Sequence, residues 1–144
     1  MPAQFLDDYL PFLMFRADSL ISQTTRQRVR ELGFSVPEWR LLATLSDGDA
    51  LAIGQLSDLV GLPQATVSRS IDKLRADGLA ERGPSTDRRT TVVTLTAMGR
   101  DAAADLTAAA LRHQRDMLKS FSSTDVQRLT DALRSIVEHL ESVR

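Results

Sequence analysis

The chain has 144 residues, of which 42% are hydrophobic and 26% charged, enough apolar material for one globular domain with a core. It contains no cysteine, which excludes disulfides, thiolate metal sites and thiol redox sensing within it. The formal net charge of -1 gives no overall basic character. There is no signal-peptide pattern at the N-terminus and no apolar run near the roughly 20 residues of a membrane helix, so a cytoplasmic protein without membrane contact is expected.

In chain order, the segment from about Phe5 to Leu32 carries Leu6, Tyr9, Leu10, Leu13, Ala17, Leu20 and Ile21 at helical spacing. Pro11 is expected to kink or delay that helix, and Gly33 to stop it. "SVPEWRLLATL" reads as a second helix, with Pro37 in its first turn and Trp39, Leu42, Ala43 and Leu45 as the buried stripe. "SDGDA" is a turn, and Leu51 to Ile53 fits a very short strand. A helix of about Gly54 to Val60 follows, with Ile53, Leu56, Leu59 and Val60 facing inward. Gly61 breaks it. Another helix runs from Pro63 or Gln64 to about Asp77, with Val67, Ile71 and Leu74 inward. Two helices around a tight glycine turn make a helix-turn-helix pattern.

Leu79 to Arg82 reads as a strand, Gly83 to Ser85 as a turn region, and Thr91 to Leu95 as a returning strand. Thr96 suits the N-cap of an alanine-rich helix from about Ala97 to Lys119. Ser122 or Ser123 caps a last helix, whose Val126, Leu129, Leu133, Ile136, Val137 and Leu140 form one apolar stripe. The fold class is therefore mainly α with a small β-hairpin wing. Residues of about 35–96 form a winged helix-turn-helix lobe. Those of about 5–32 and 97–144 supply added helices within a single domain of 1–144.

The charges are segregated. Between Gln64 and Arg89 the cations are Arg69, Lys73, Arg75, Arg82, Arg88 and Arg89, against Asp72, Asp77, Glu81 and Asp87. A local basic face is what phosphate contact requires. If Val67, Ile71 and Leu74 are buried, then Gln64, Ala65, Thr66, Ser68, Arg69, Asp72 and Lys73 face outward. Small residues admit a helix into the major groove, Gln and Arg reach base edges, and hydroxyls reach phosphates. The competing reading is an ordinary solvated face. Arg88 and Arg89 stand at the far end of the hairpin beside Asp87. A wing next to a groove-binding helix would carry an arginine to the minor groove, with Asp87 orienting it through a charge-assisted hydrogen bond.

The stretches "VPEWRLLATL", "IGQLSDLVGLPQATVSRSIDKLRADGLAER" and "STDRRTTVVTLTAMG" resemble the multiple-antibiotic-resistance regulator (MarR) family of winged-helix transcription factors. The last holds an Asp-Arg-Arg wing signature followed by an apolar strand and Leu-Thr-x-x-Gly. The resemblance implies a homodimer joined through the N- and C-terminal helices, each subunit reading half of a palindromic double-stranded operator. It also implies repression relieved by a small aromatic or anionic ligand. It matches the recognition helix to Gln64 to Lys73 with Arg69 on DNA. It places Arg88 in the minor groove and Arg89 against Asp87 or a phosphate. The long apolar stripes independently favour a partner chain as their cover, which would set half-sites about 34–36 Å apart.

No catalytic constellation, cofactor motif or metal-ligand cluster is evident. His113 and His139 lie on separate helices without a carboxylate pattern. A winged helix serving only as a protein-interaction scaffold is the alternative function. For an effector, Phe12, Phe15 and Trp39, with Met14 nearby, are the candidate apolar lining and Arg40 the candidate cation. The competing reading makes the aromatics ordinary core and Arg40 part of a surface ion pair.

Overall fold

Tyr9 divides the first helical segment in two. The computed structural model describes residues 2–144, and in it α1 (Pro2–Asp8) ends before Tyr9, whose backbone is extended, and α2 (Leu10–Glu31) begins after it with Pro11 in the first turn. Proline has no N–H and its ring clashes with the carbonyl four residues back, so one helix cannot run through both segments. The single segment expected from the spacing is thus two helices.

Helix α3 (Val36–Leu45) opens with a capping box. Ser35 Oγ accepts from the Glu38 N–H at 3.2 Å, and Glu38 Oε1 accepts from the Ser35 N–H at 3.3 Å. These two bonds satisfy donors that a bare helix start leaves free. Helices α4 (Ile53–Val60) and α5 (Gln64–Ala76) follow. Strands β1 (Ala80–Pro84) and β2 (Thr91–Leu95) then pair antiparallel, with Arg82 opposite Val93. Helices α6 (Ala97–Met117) and α7 (Ser123–Ser142) close the chain. Leu51 forms an isolated bridge to Val93 and Ala52 is extended without pairing, so the short strand expected at 51–53 is reduced to that bridge, and Ile53 opens α4. Gly83 and Pro84 belong to β1 rather than to the turn.

The architecture is mainly helical with a two-stranded hairpin, a winged helix. The chain forms two compact units, Met1–Ala108 and Ala109–Arg144. The core lies in the first. Leu41, Leu42 and Leu45 of α3, Leu56 of α4 and Val67, Ile71 and Leu74 of α5 are almost fully buried. Val93 and Leu95 of β2 and Ala103 and Leu106 of α6 join them. Each large side chain so buried contributes about 1.5–3 kcal/mol.

Two inward stripes differ from expectation. On α3 the fully buried positions are Leu41, Leu42 and Leu45, while Trp39 and Ala43 are half-buried. On α4, Leu59 is 64% exposed. Ile53, Leu56 and Val60 share a narrow face, and Leu59 lies on the flank that meets nothing. Helix α7 keeps its predicted stripe, yet none of its residues is buried: Leu129 and Leu140 are more than half exposed. Among the described residues, no helix is long and apolar enough to cross a membrane.

Candidate nucleic-acid interface

The turn between α4 and α5 is held by Ser57 and Gly61. Gly61 takes a left-handed φ of 69°, which most side chains resist, and its N–H donates to Ser57 O at 3.0 Å. The Ser57 hydroxyl donates to Leu62 O at 2.5 Å. Three residues, Gly61 to Pro63, join the two helices, and Pro63 launches α5. Pro63 is the N-cap, and no side chain caps the first N–H groups of α5. That end therefore presents free donors and the positive end of the helix dipole. Around it Gln64, Ala65 and Arg69 are exposed, and Thr66 and Ser68 are half-buried. The Gln64 amide lies over Gly54, whose added Cβ would meet Nε2 at 3.7 Å.

The wing loop is built on Ser85. Its N–H donates to Thr90 O at 2.8 Å, and its carbonyl accepts from the Arg88 N–H at 2.9 Å. Arg88 has φ 61°, and it is the one non-glycine residue with positive φ among those described. Asp87 accepts from the Ser85 hydroxyl and, at 3.0 Å, from the Arg89 N–H. These bonds hold its carboxyl below the usual carboxylate range, the Ser85 hydroxyl contributing most. Asp87 thus shapes the loop through Ser85 and the Arg89 backbone. Both bonds fall on Oδ1, and Asp87 forms no ion pair with either guanidinium among the described residues, contrary to the sequence expectation.

The Leu95-Thr96-x-x-Gly99 stretch fixes the hairpin to the core. Thr96 Oγ1 donates to Gly78 O at 2.7 Å and accepts from the Gly99 N–H at 3.1 Å. The Thr96 N–H donates to Leu79 O at 3.1 Å. One threonine therefore caps α6 and ties it to the end of α5 and the start of β1.

The cations of this region divide into two sets. Lys73 pairs with Asp77 at 3.0 Å and Glu38 at 3.6 Å, Arg75 with Asp72 at 3.7 Å, and Arg82 with Asp72 at 3.4 Å. Asp77 and Glu38 raise the Lys73 pKa. Arg69, Arg88 and Arg89 form no ion pair among the described residues and are exposed. Lys73, expected on DNA, is shared between Asp77 of its own helix and the buried Glu38 of α3, and its side chain is 55% exposed. Two participants were not singled out from the sequence. Glu38 was signalled by Ser-x-x-Glu at 35–38, a capping-box spacing. Arg82 gave no such signal, because its partners lie on another element.

The candidate effector residues do not converge within one chain. Phe34 N–H bonds to Val29 O at 3.0 Å, which places Val29 at the turn into α3. Phe15 lies about 21 Å back along α2 at 1.5 Å per residue, and Phe12 farther still. Trp39 sits near the start of α3 and packs on the core, Phe15 is 64% exposed, and Arg40 is exposed on α3. Trp39 thus follows the core reading, while Phe15 is a surface residue in the single chain.

Comparison with known proteins agrees with this geometry. The model of the MarR family matches residues 32–90. No curated protein matches the chain at a significant level. Among solved structures, the MarR family transcriptional regulator SPO1453 from Silicibacter pomeroyi DSS-3 is 34% identical, with a TM-score of 0.80, over 94% of this chain and 98% of that one. A second MarR family regulator from Silicibacter pomeroyi is 30% identical with a TM-score of 0.82, over 95% and 94%. CouR from Rhodococcus jostii RHA1, solved bound to p-coumaroyl-CoA, shares the fold at 20% identity and a TM-score of 0.81, over 91% and 93%. From its helix-turn-helix, its arginine-tipped wing and these relatives, the chain belongs to the MarR family of DNA-binding transcriptional regulators, which are not enzymes.

Proposed function

We propose that the chain is a homodimeric repressor that binds a palindromic operator, with the first turns of α5 in the major groove and the wing in the minor groove. The observation that carries this reading is the sorting of charge. Of the arginines between Gln64 and Arg89, those that form no ion pair among the described residues, Arg69, Arg88 and Arg89, stand on the recognition helix and the wing loop. Gln64, Ala65, Thr66 and Ser68 accompany the uncapped start of α5, where N–H donors and short side chains suit close approach to DNA. Arg88 is the minor-groove residue, Arg89 meets a phosphate, and Asp87 and Lys73 act by shaping the surface rather than by touching DNA.

The homodimer is supported by the uncovered stripe of α7 and by Leu10, Phe15 and Leu20 of α2, each more than half exposed. An effector would act where two chains meet, since Phe12 and Phe15 lie far from Trp39 and Arg40 in one. CouR carries a CoA thioester of an aromatic acid, so an aromatic or anionic effector is the class to try first.

The test is footprinting on DNA upstream of the chain's own gene, across a salt series, with light scattering for mass. Two-fold symmetric protection by a dimer that weakens steeply with salt is expected. No specific binding to that DNA or to a genomic library would favour the protein-scaffold alternative. Arg69→Ala should cost about 1–3 kcal/mol of base discrimination at one position per half-site, read by competition among operator point variants. Uniform weakening on every sequence would move Arg69 to the phosphates.

A further inference from the structure

Arg82 occupies a position where a strand of this hairpin should be apolar. It pairs in register with Val93, which is fully buried, and it shares a hairpin face with Ala80 and Leu95, both buried. Side chains of directly opposed residues stand on the same face of a sheet. Arg82 therefore points to the inner side of the wing, and its Nε is buried without a hydrogen-bond partner. A guanidinium is left there only where something outside the hairpin engages it.

That engagement is on the recognition helix. Arg82 Nη2 lies 3.4 Å from Asp72 Oδ1 and 3.5 Å from Ser68 Oγ. Ser68 and Asp72 are four residues apart, neighbours on one flank of α5, and Asp72 is also one turn on from Arg69. From these contacts we infer that Arg82 is a positioning residue, a brace that sets the angle of the wing against the recognition helix through Asp72 and Ser68. This inference rests on the DNA-binding reading above.

The brace acts through leverage. Ser85 is three residue steps beyond Arg82, a span of about 10 Å at 3.3 Å per residue. A rotation of about 10° at Arg82 then carries the base of the wing loop by almost 2 Å, beyond the range over which a hydrogen bond to DNA survives. Asp72 is 59% exposed, and an ion pair this open adds little to folding. Its effect is on where Arg88 stands relative to Arg69. Arg75, 3.7 Å from Asp72, is the other cation facing that carboxylate, and it lies on the same helix, so it cannot hold the wing.

The test uses the full chain and a duplex selected from random DNA by the unsubstituted protein. Arg82→Gln and Asp72→Asn should each weaken binding about five- to tenfold. The double variant should be no weaker than either, because both break one contact. Exchanging the charges, with Arg82→Asp and Asp72→Arg together, should recover most of the affinity. The slope of log K against log salt should stay unchanged in Arg82→Gln, because no phosphate contact is lost. Three results overturn the brace: tighter binding by Asp72→Asn, losses that multiply in the double variant, or a slope reduced by about 1 in Arg82→Gln, the mark of a direct phosphate contact. If Arg82→Gln fails to fold, Asp72→Asn and the charge exchange carry the same decision, since Asp72 is outside the core. If the unsubstituted protein selects no sequence at all, the DNA-binding reading falls, and this inference with it.

Discussion

Replacing Gly99 by alanine should destabilise the protein by about 3 kcal/mol and lower its Tm by about 10 °C. An alanine Cβ at this position would stand 1.9 Å from Leu79 O, 2.9 Å from the Leu79 carbonyl carbon and 3.3 Å from Leu95 Cβ. The first two are backbone atoms, so no rotamer change relieves the overlap. The carbonyl cannot swing away freely either. Leu79 O accepts from the Thr96 N–H at 3.1 Å, and the Leu79 N–H donates to Leu74 O at 2.8 Å. Relief requires the start of α6 to lift off the hairpin, which strains the bonds from Thr96 to Gly78 and Gly99. Because those bonds seat β2, DNA affinity should fall together with stability. Thermal unfolding by circular dichroism reads the first effect, and a melt within 2 °C of the parent (about 0.5 kcal/mol or less on the same scale) would falsify the close approach.

Much of this site was legible because its constraints are local. Gly61 breaks a helix and Thr96 caps one by the chemistry of single residues and their near neighbours, and both are where the spacing puts them. Val67, Ile71 and Leu74 are buried as the period of α5 requires. The departures came where a partner elsewhere decides. Leu59 fits the apolar period of α4 but finds no neighbouring element. Lys73 belongs to the outward face by period, and besides Asp77 of its own helix it meets a buried Glu38 on α3 that period does not reveal. Asp87 sits beside two arginines in sequence, yet short-range geometry brings its Oδ1 to the Ser85 hydroxyl and the Arg89 N–H. Arg82 was legible only as one cation of the basic segment, for the same reason. Its importance lies in the face it shares with Val93 and in a carboxylate ten residues earlier. Of the proposed effector residues, Phe12 and Phe15 stand on α2 and Trp39 and Arg40 on α3, and period alone does not say how far apart two helices hold their side chains.

Arg88→Gly should separate what the wing does for DNA from what it does for itself. Arg88 has φ 61°, a conformation that costs an L-residue about 1 kcal/mol or more and glycine nothing. Its N–H donates to Ser85 O at 2.9 Å, a bond that glycine keeps. Glycine loses more chain entropy on folding, so the two terms nearly cancel. The Tm should stay within about 2 °C of the parent or rise slightly. DNA binding should behave differently. A charged hydrogen bond contributes about 1.5–3 kcal/mol, so affinity should fall by roughly tenfold or more, with a salt slope reduced by about 1 per half-site. Arg88→Ala loses the same charge and keeps the parent's backbone strain, so it should bind DNA as poorly as the glycine variant while its Tm also stays within about 2 °C of the parent. Choice among operator variants in the major groove should survive in both, because Arg69 and the start of α5 are untouched. Affinity equal to the parent in Arg88→Gly, with the hairpin intact, would leave this arginine outside the DNA contact. The minor-groove role would then pass to Arg89, whose exposed guanidinium is likewise without an ion pair among the described residues.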